Sequence, residues 1–307
     1  MSKSNDQNYK NLILDYPIQS IQFFAPKESK EVDQSVKITP VRQEQLKDRL
    51  GDRFHELDTP LLVEWPDGRR ESIVFVNEQE SDKYRFSIHR MAIYCLEISK
   101  LLKTERVVPV VIFTSAGQYP LSINIGTELH TFLTFNYIAC NLNSMNAHDY
   151  MNSDNLVARL NLPLMCYNKE DKVEVYAQAV DGLVSLEHRQ DYQVKYIDFI
   201  DQYANLDESE LENYKSEYAE KSNAKEEVMG LLQHTRDEGI QQGMQKGALT
   251  NAREAAIEAL EINLDISAPK DVILHINQET DMAKLKEIHK KAIKVATLDE
   301  FEAWLKS

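Results

Sequence analysis

Residues 57–82 read LDTPLLVEWPDGRRESIVFVNEQESD. Two runs rich in Val, Ile, Leu, Phe and Trp flank the turn sequence PDG, which predicts two strands, at about residues 57–65 and 71–80, joined as a hairpin. The first strand carries Asp58, and the second carries Glu78 and Glu80. Carboxylates are costly inside a sheet. The position of these three acids therefore bears on both the fold and the function.

The pairing of the two strands predicts that the acids lie together. If Trp65 pairs with Glu71, Asp58 lies directly opposite Glu78. Opposed residues of an antiparallel pair have Cβ atoms about 5 Å apart, and alternation places Glu80 on the same face as Glu78. This register predicts a cluster of three carboxylates at the open end of the hairpin.

Such a cluster requires protonation or a divalent cation, because like charges at this spacing repel and burial increases the cost. Oxygen ligands favour Mg²⁺ or Mn²⁺. In this interpretation Asp58 and Glu78 hold the metal, and Glu80 is a further ligand or a base that orients water. The alternative is that the strand ends emerge into solvent and the acids are ordinary surface residues.

The sequence around the hairpin predicts a mixed α/β domain. Apolar spacing predicts a helix over residues 8–25 that is interrupted at Pro17, and another over residues 88–102. Thr39 followed by Pro40 has the form of a helix start. Further strands are predicted at residues 106–117, 120–125 and 130–139. The alternation of strands and helices up to residue 115 indicates a sheet with helices packed against it.

The remainder of the chain is predicted to be helical, at residues 154–160, 172–187, 191–204, 207–220 and 222–249. We predict an α/β domain over residues 1–150, a helical extension packing on it over 151–222, and a helical arm over 223–307. In this arm Gly239, Gly243 and Gly247 form a bare helical stripe. The stripe predicts either self-association into a homo-oligomer or a flexible connector.

Charge and composition indicate which partners and which cellular compartment suit this protein. The net charge of −15 argues against binding to nucleic acid. Residues 1–131, however, hold 17 basic and 19 acidic residues, so most of the negative charge belongs to the C-terminal half. The longest apolar run, VVPVVIF, is too short to span a bilayer. Three separated cysteines in apolar settings predict buried thiols in a reducing compartment. We therefore expect a cytoplasmic protein that does not enter a membrane.

Residues 42–98, which include the hairpin, resemble the PD-(D/E)XK nuclease superfamily, in which acids lie on a hairpin as D…(E/Q)-x-K. With RVVPVVIF, SDNLVARLNLP and EGIQQGMQKG further on, the chain resembles the Rpn family of recombination-promoting, transposase-like nucleases. The resemblance implies a restriction-endonuclease-like mixed sheet followed by helices, and an Mg²⁺-dependent (or Mn²⁺-dependent) DNA endonuclease linked to recombination or mobile DNA. It implies that Asp58 and Glu78 are metal ligands and that Glu44 is a candidate extra acid.

Position 80 departs from the superfamily, because Glu80 stands where the superfamily has Lys. The alternative function is therefore a weakly active or inactive nuclease-fold protein that binds DNA or another protein. An alternative functional pair is Asn77 and Gln79, which alternation places on the opposite face of the same strand. This pair supplies no anionic charge.

Arg85, His89 and Arg90, around the start of the helix that follows the hairpin, are candidate DNA phosphate contacts. The other interpretation of these three residues is an ordinary solvated helix face.

Overall fold

The computed structural model describes residues 5–41, 59–78, 87–115, 117, 119–222 and 224–305. The chain divides into two compact units, Met1–Leu232 and Gln233–Ser307. The sequence places the start of the helical arm at residue 223, ten residues before the second unit begins.

The first unit is an α/β domain, and its described residues form seven strands. A five-stranded sheet has the order β1-β2-β3-β4-β7, and β5 and β6 form a separate two-stranded sheet. The strands β1, β2 and β3 pair antiparallel, whereas β3, β4 and β7 run parallel. The strands are β1 (Lys37–Pro40), β2 (Thr59–Glu64), β3 (Arg70–Glu78), β4 (Val107–Phe113), β5 (Ser122–Gly126), β6 (Thr131–Asn136) and β7 (Ile138–Asn141).

Helices account for most of the remaining described residues. Pro17 stands at the start of the second helix and fits a first turn, where a missing N–H is tolerated, so the predicted interruption is confirmed. The helices are α1 (Asn5–Asp15), α2 (Pro17–Phe24), α3 (Ile88–Leu102), α4 (Leu156–Leu160), α5 (Lys172–Leu186), α6 (Gln190–Ala204), α7 (Glu208–Glu217), α8 (Lys225–Leu264), α9 (Lys270–Gln278), α10 (Met282–Lys294) and α11 (Leu298–Leu305).

Both faces of the large sheet are covered, as parallel strands require. Ile73 and Phe75 of β3 point into a core shared with α1, α2 and the helices α4 to α7. Val74 and Val76 point to the opposite face, where they pack against α3. Alternation along one strand thus separates two cores, and the sheet lies between them.

The observed register of the hairpin differs from the predicted one. Val63 pairs with Glu71, not with Ile73, so the partners are shifted by two residues. The cause is a three-residue loop: Trp65 receives a hydrogen bond from Gly68 and donates one to the carbonyl of Arg69, each 3.0 Å long. Gly68 adopts φ of 87°, a left-handed conformation that favours glycine and closes this short turn.

Two other predictions about the first unit are corrected. Thr39 and Pro40 do not start a helix; they belong to the edge strand β1, where proline is tolerated because its nitrogen need not donate. The segment predicted as one strand at 130–139 is two strands, β6 and β7, in different sheets.

The cysteine prediction is wrong at one position. Cys95 and Cys140 are buried, but Cys166 is exposed. The backbone of Cys166 is fixed by a hydrogen bond to Met145 (2.8 Å) and another from Ala147 (3.0 Å). An apolar neighbourhood in sequence therefore does not bury this thiol, because a short backbone bridge decides which side chains face inward.

The second unit has a helical core of its own. Its buried residues include Leu260, Ile276, Leu285 and Phe301, each nearly inaccessible to solvent. The glycine stripe lies on α8. A Cβ added at Gly243 or Gly247 would meet no atom within 4 Å, so neither glycine is required by close packing within the chain.

Candidate functional site at the carboxyl edge of the sheet

The parallel strands end together at one edge of the large sheet. Glu78, the last residue of β3, pairs with Phe113, the last residue of β4, which pairs with Asn141 at the end of β7. The chain enters β2 at this same edge, because Thr59 pairs with Phe75 near the end of β3. Carboxyl ends of parallel strands are a common location for binding sites.

The N-terminus of α3 lies toward this carboxyl edge. At the other end of α3, the Thr104 hydroxyl donates to the carbonyl of Arg70 (3.0 Å), and the Arg70 guanidinium donates to the carbonyl of Leu102 (3.3 Å). These bonds fix the end of the helix beside the first residue of β3. The helix therefore runs back along the sheet from the edge where β3 ends, which is also what the parallel pairing of β3 and β4 demands.

The start of α3 is capped. The Ser87 side chain accepts a hydrogen bond from the backbone N–H of Arg90 (3.3 Å). The remaining N–H groups of the first turn and the helix dipole favour an anion at this end. His89 is exposed and Arg90 is half-buried, so the imidazole of His89 is accessible from solvent at the start of the helix.

Of the predicted acids, only Glu78 lies within the described residues. Asp58, Glu80 and Glu44 lie outside them, and so does the candidate phosphate contact Arg85. Glu78 is placed by its backbone at the end of β3, while its side chain is outside the description. The register brings the start of β2 and the end of β3 to one edge, although the pairing of Asp58 with Glu78 was deduced from a register that the hairpin does not adopt.

Asn77, which with Gln79 forms the alternative functional pair, lies on the other face of the sheet from Glu78. Asn77 pairs with Ile112, whose side chain belongs to the core on the α1 and α2 side of the sheet. The side-chain oxygen of Asn77 is buried. Gln79 lies beyond the end of the described strand. Alternation therefore places Asn77 on the sheet face opposite to the α3 side.

Two asparagines at this edge were not recognised in the sequence. Asn141 ends β7, and Asn143 follows it in a short 3₁₀ helix. Within the described part of the chain, the Asn141 Oδ1 and Asn143 Nδ2 atoms are buried without a hydrogen-bond partner. Buried polar atoms without partners are costly and mark places where water, an ion or a ligand is held. No local pattern reveals them, because β7 joins β4 only after the β5–β6 hairpin intervenes.

The neighbouring cysteine is a buried core thiol. Cys140 pairs with Ile112 near the end of β7, one residue from Asn141. Burial raises the pKa of the Cys140 thiol to about 12, so it is protonated at neutral pH.

The opposite edge of the sheet contains charges that are already paired. Glu71 is buried, and its carboxylate accepts hydrogen bonds from the Arg106 Nε (3.1 Å) and a terminal nitrogen of Arg106 (2.9 Å). In the hairpin turn, Arg69 lies over the Trp65 ring at 5.0 Å and pairs with Asp67 at 2.7 Å. The Glu71–Arg106 pair and the charged residues of the hairpin turn therefore have structural roles.

Among the described residues, no three His, Cys, Asp or Glu side chains form a group that could hold a metal ion. None of the described helices combines the length and apolar character needed to cross a bilayer. Comparisons with protein-family models, with curated proteins and with solved structures find no match.

Proposed function

We propose that the protein is a metal-dependent endonuclease that hydrolyses phosphodiester bonds in DNA, linked to recombination or mobile DNA, as the resemblance to the Rpn family implies. The observation that supports this most directly is the shared edge of the sheet. The start of β2, the end of β3 and the start of α3 meet there, which is the arrangement that acids on a hairpin and an anion-binding helix end require.

The proposed ligands suit a hard cation. Asp58 and Glu78 would hold Mg²⁺ or Mn²⁺, and both offer only oxygen. The buried Asn141 Oδ1 adds an acceptor oxygen at the same edge. When bound, such an ion lowers the pKa of water and neutralises charge on a phosphate.

The remaining roles belong to residues of the chain. Glu80 would accept the proton of the attacking water, because a carboxylate acts as a general base. Arg85, His89 and Arg90, around the start of α3, would bind and orient the phosphate. The absence of Lys at position 80 removes a cation that would stabilise negative charge, and this favours the alternative of a DNA- or protein-binding module.

A plasmid-nicking assay tests the proposal. Purified protein is incubated with supercoiled DNA and Mg²⁺ or Mn²⁺, alongside the variants Asp58→Ala and Glu78→Ala. Each substitution removes a metal ligand, so nicking falls by about a hundredfold or more. The matched control is Glu128→Ala, which removes an exposed acid of the β5–β6 loop and leaves nicking unchanged.

The same assay addresses position 80. The Glu80→Lys substitution restores the cation that the superfamily uses, and we expect nicking to rise about tenfold. Equal nicking by the wild type and Asp58→Ala would show that the site is elsewhere. If neither the wild type nor Glu80→Lys nicks DNA with either metal, the binding function replaces the nuclease.

A further inference from the structure

Helix α10 is basic in a strongly acidic chain. Its 13 residues, MAKLKEIHKKAIK, hold five Lys and one Glu, whereas the whole protein carries a net charge of −15. The apolar side of the helix is buried in the core of the second unit through Leu285, Ile288 and Ala292. Packing of these apolar residues holds the helix in place and so fixes the backbone positions of its lysines.

The five lysines fall into two sets. Lys284 pairs with Glu279 at 3.2 Å, and Lys291 pairs with Glu300 at 2.7 Å. The other three have exposed side chains that make no ion pair or hydrogen bond to any residue the structure describes. We call Lys286, Lys290 and Lys294 the lysine stripe.

The stripe has a regular geometry. Its members are four residues apart, so they lie on one side of the helix and advance by about 6 Å per step. The whole stripe is about 12 Å long, and one DNA strand presents a phosphate about every 3.4 Å along the duplex axis. The step between lysines is therefore close to the distance between alternate phosphates of one strand. One acid, Glu287, is exposed on the same helix but lies in no ion pair with the stripe.

We propose that the lysine stripe binds the phosphate backbone of duplex DNA and so provides a second DNA contact, separate from the site on the sheet. The proposal rests on the proposed function, because it assigns DNA as the substrate. Unpaired lysines act as point charges for phosphate and carry no base readout. The stripe would therefore contribute affinity without sequence preference.

Two other partners fit the stripe less well. A helix that lies on a lipid surface inserts a continuous apolar face, and in α10 Leu285, Ile288 and Ala292 are already in the core, which leaves Ile293 as the exposed large apolar residue. Protein interfaces are depleted in Lys and rely on Trp, Tyr and Arg as anchors, none of which occurs in α10. Phosphate binding needs only the charge and spacing that the stripe has.

Equilibrium binding of the full-length protein to a labelled duplex tests the proposal. Fluorescence anisotropy is measured over a range of NaCl concentrations, with EDTA present so that binding is read without cleavage. The stripe variant is Lys286→Gln, Lys290→Gln and Lys294→Gln together. The matched control is Lys27→Gln, Lys30→Gln and Lys103→Gln together, which removes the same charge from exposed positions of the first unit.

The stripe variant should bind at least tenfold more weakly than the control. Its slope of log affinity against log salt should be flatter by about 2 to 3, since each lost phosphate contact contributes about 0.9. An affinity and slope equal to those of the control would overturn the stripe as a DNA contact. Preferential binding of wild type to phosphatidylserine vesicles or to polyglutamate, with no binding to duplex, would overturn it as well.

The nicking assay keeps the two proposals apart. If Asp58→Ala abolishes nicking while the stripe variant binds DNA like the control, the nuclease stands and the stripe fails. If the stripe variant loses DNA affinity but no form of the protein nicks DNA, the stripe stands and the nuclease fails.

Discussion

Two carboxylates that are buried in the described part of the chain, Glu71 and Glu187, are each paired with one arginine. Glu71 is paired with Arg106, 35 positions along the chain, across the start of the parallel strands. Glu187 accepts hydrogen bonds from the Arg189 Nε (3.0 Å) and from the Tyr16 hydroxyl (2.5 Å). Neither acid stands out in the sequence, because the burial of each depends on neighbours that only the fold supplies.

Glu187 makes stability depend on pH. Hydrogen bonds from Arg189, and then from Tyr16, lower the pKa of Glu187 from 4.5 to about 2. Because its pKa is lower in the folded state than in the unfolded state, Glu187 stabilises the fold at pH values above its unfolded-state pKa. This stabilisation is lost as the pH falls from about 4.5 to about 2. The Glu187→Gln variant should therefore lose less free energy of unfolding over this range than wild type, by about 2 kcal/mol.

Urea unfolding at several pH values measures this difference. The control is Glu105→Gln, an exposed acid, which should follow the wild-type pH dependence. Parallel wild-type and Glu187→Gln curves between pH 5 and 2 would contradict the prediction.

At the scale of elements, close contacts decide how helices and strands pair. Gly68 sets the register of the β2–β3 hairpin through its positive φ. Gly182 sets the packing of α5 on α4, because a Cβ at this position would lie 2.6 Å from the Arg159 Nε and 2.7 Å from the Arg159 Cβ. Arg159 itself is buried and donates to the carbonyl of Gln178 and to Asp181, so it cannot move away freely.

Gly182→Ala should therefore destabilise the first unit by about 2 kcal/mol, since overpacking outweighs the gain in helix propensity. Gly230 of α8 is the matched comparison, because a Cβ there meets no atom within 4 Å. Gly230→Ala should stabilise by about 0.5 to 1 kcal/mol. Chemical denaturation of both variants measures the effect, and stabilisation by both would disprove the close packing at Gly182.

At the scale of the whole molecule, the two units have separate cores. Phe75 is buried within the first unit, between the sheet and the helices α1 and α2, and Phe301 is buried in the helical core of the second. A change that weakens one core should leave the other intact, because each unit buries its own apolar side chains.

Hydrogen exchange read by mass spectrometry tests this independence. Phe301→Ala should lower the stability of the second unit by about 3 kcal/mol and reduce protection of α9, α10 and α11, with the large sheet unchanged. Phe75→Ala should have the reverse effect. Equal loss of protection in both units would mean that the chain unfolds as one cooperative body.

Local patterns account for most elements of the fold. The periodicity of apolar residues predicts α3 and α5, and the Val- and Ile-rich runs predict β2, β3 and β4. Thr39 and Pro40 were misassigned because the same pair fits a helix start and an edge strand, and only pairing with β2 selects the strand. For the candidate site, the sequence supplies the acids and the structure supplies the edge at which β3, β4 and β7 end.

By itself the sequence determined the class of most of its elements, the hairpin around the PDG turn, and the concentration of acidic charge in the C-terminal half. Those properties depend on residue type and spacing along the chain, which a single sequence records. Only the tertiary structure decided the hairpin register, the parallel placement of β7 beside β4, and which lysines of α10 are paired. Such features depend on contacts between residues distant in sequence or on the choice among competing partners, and both are settled by packing.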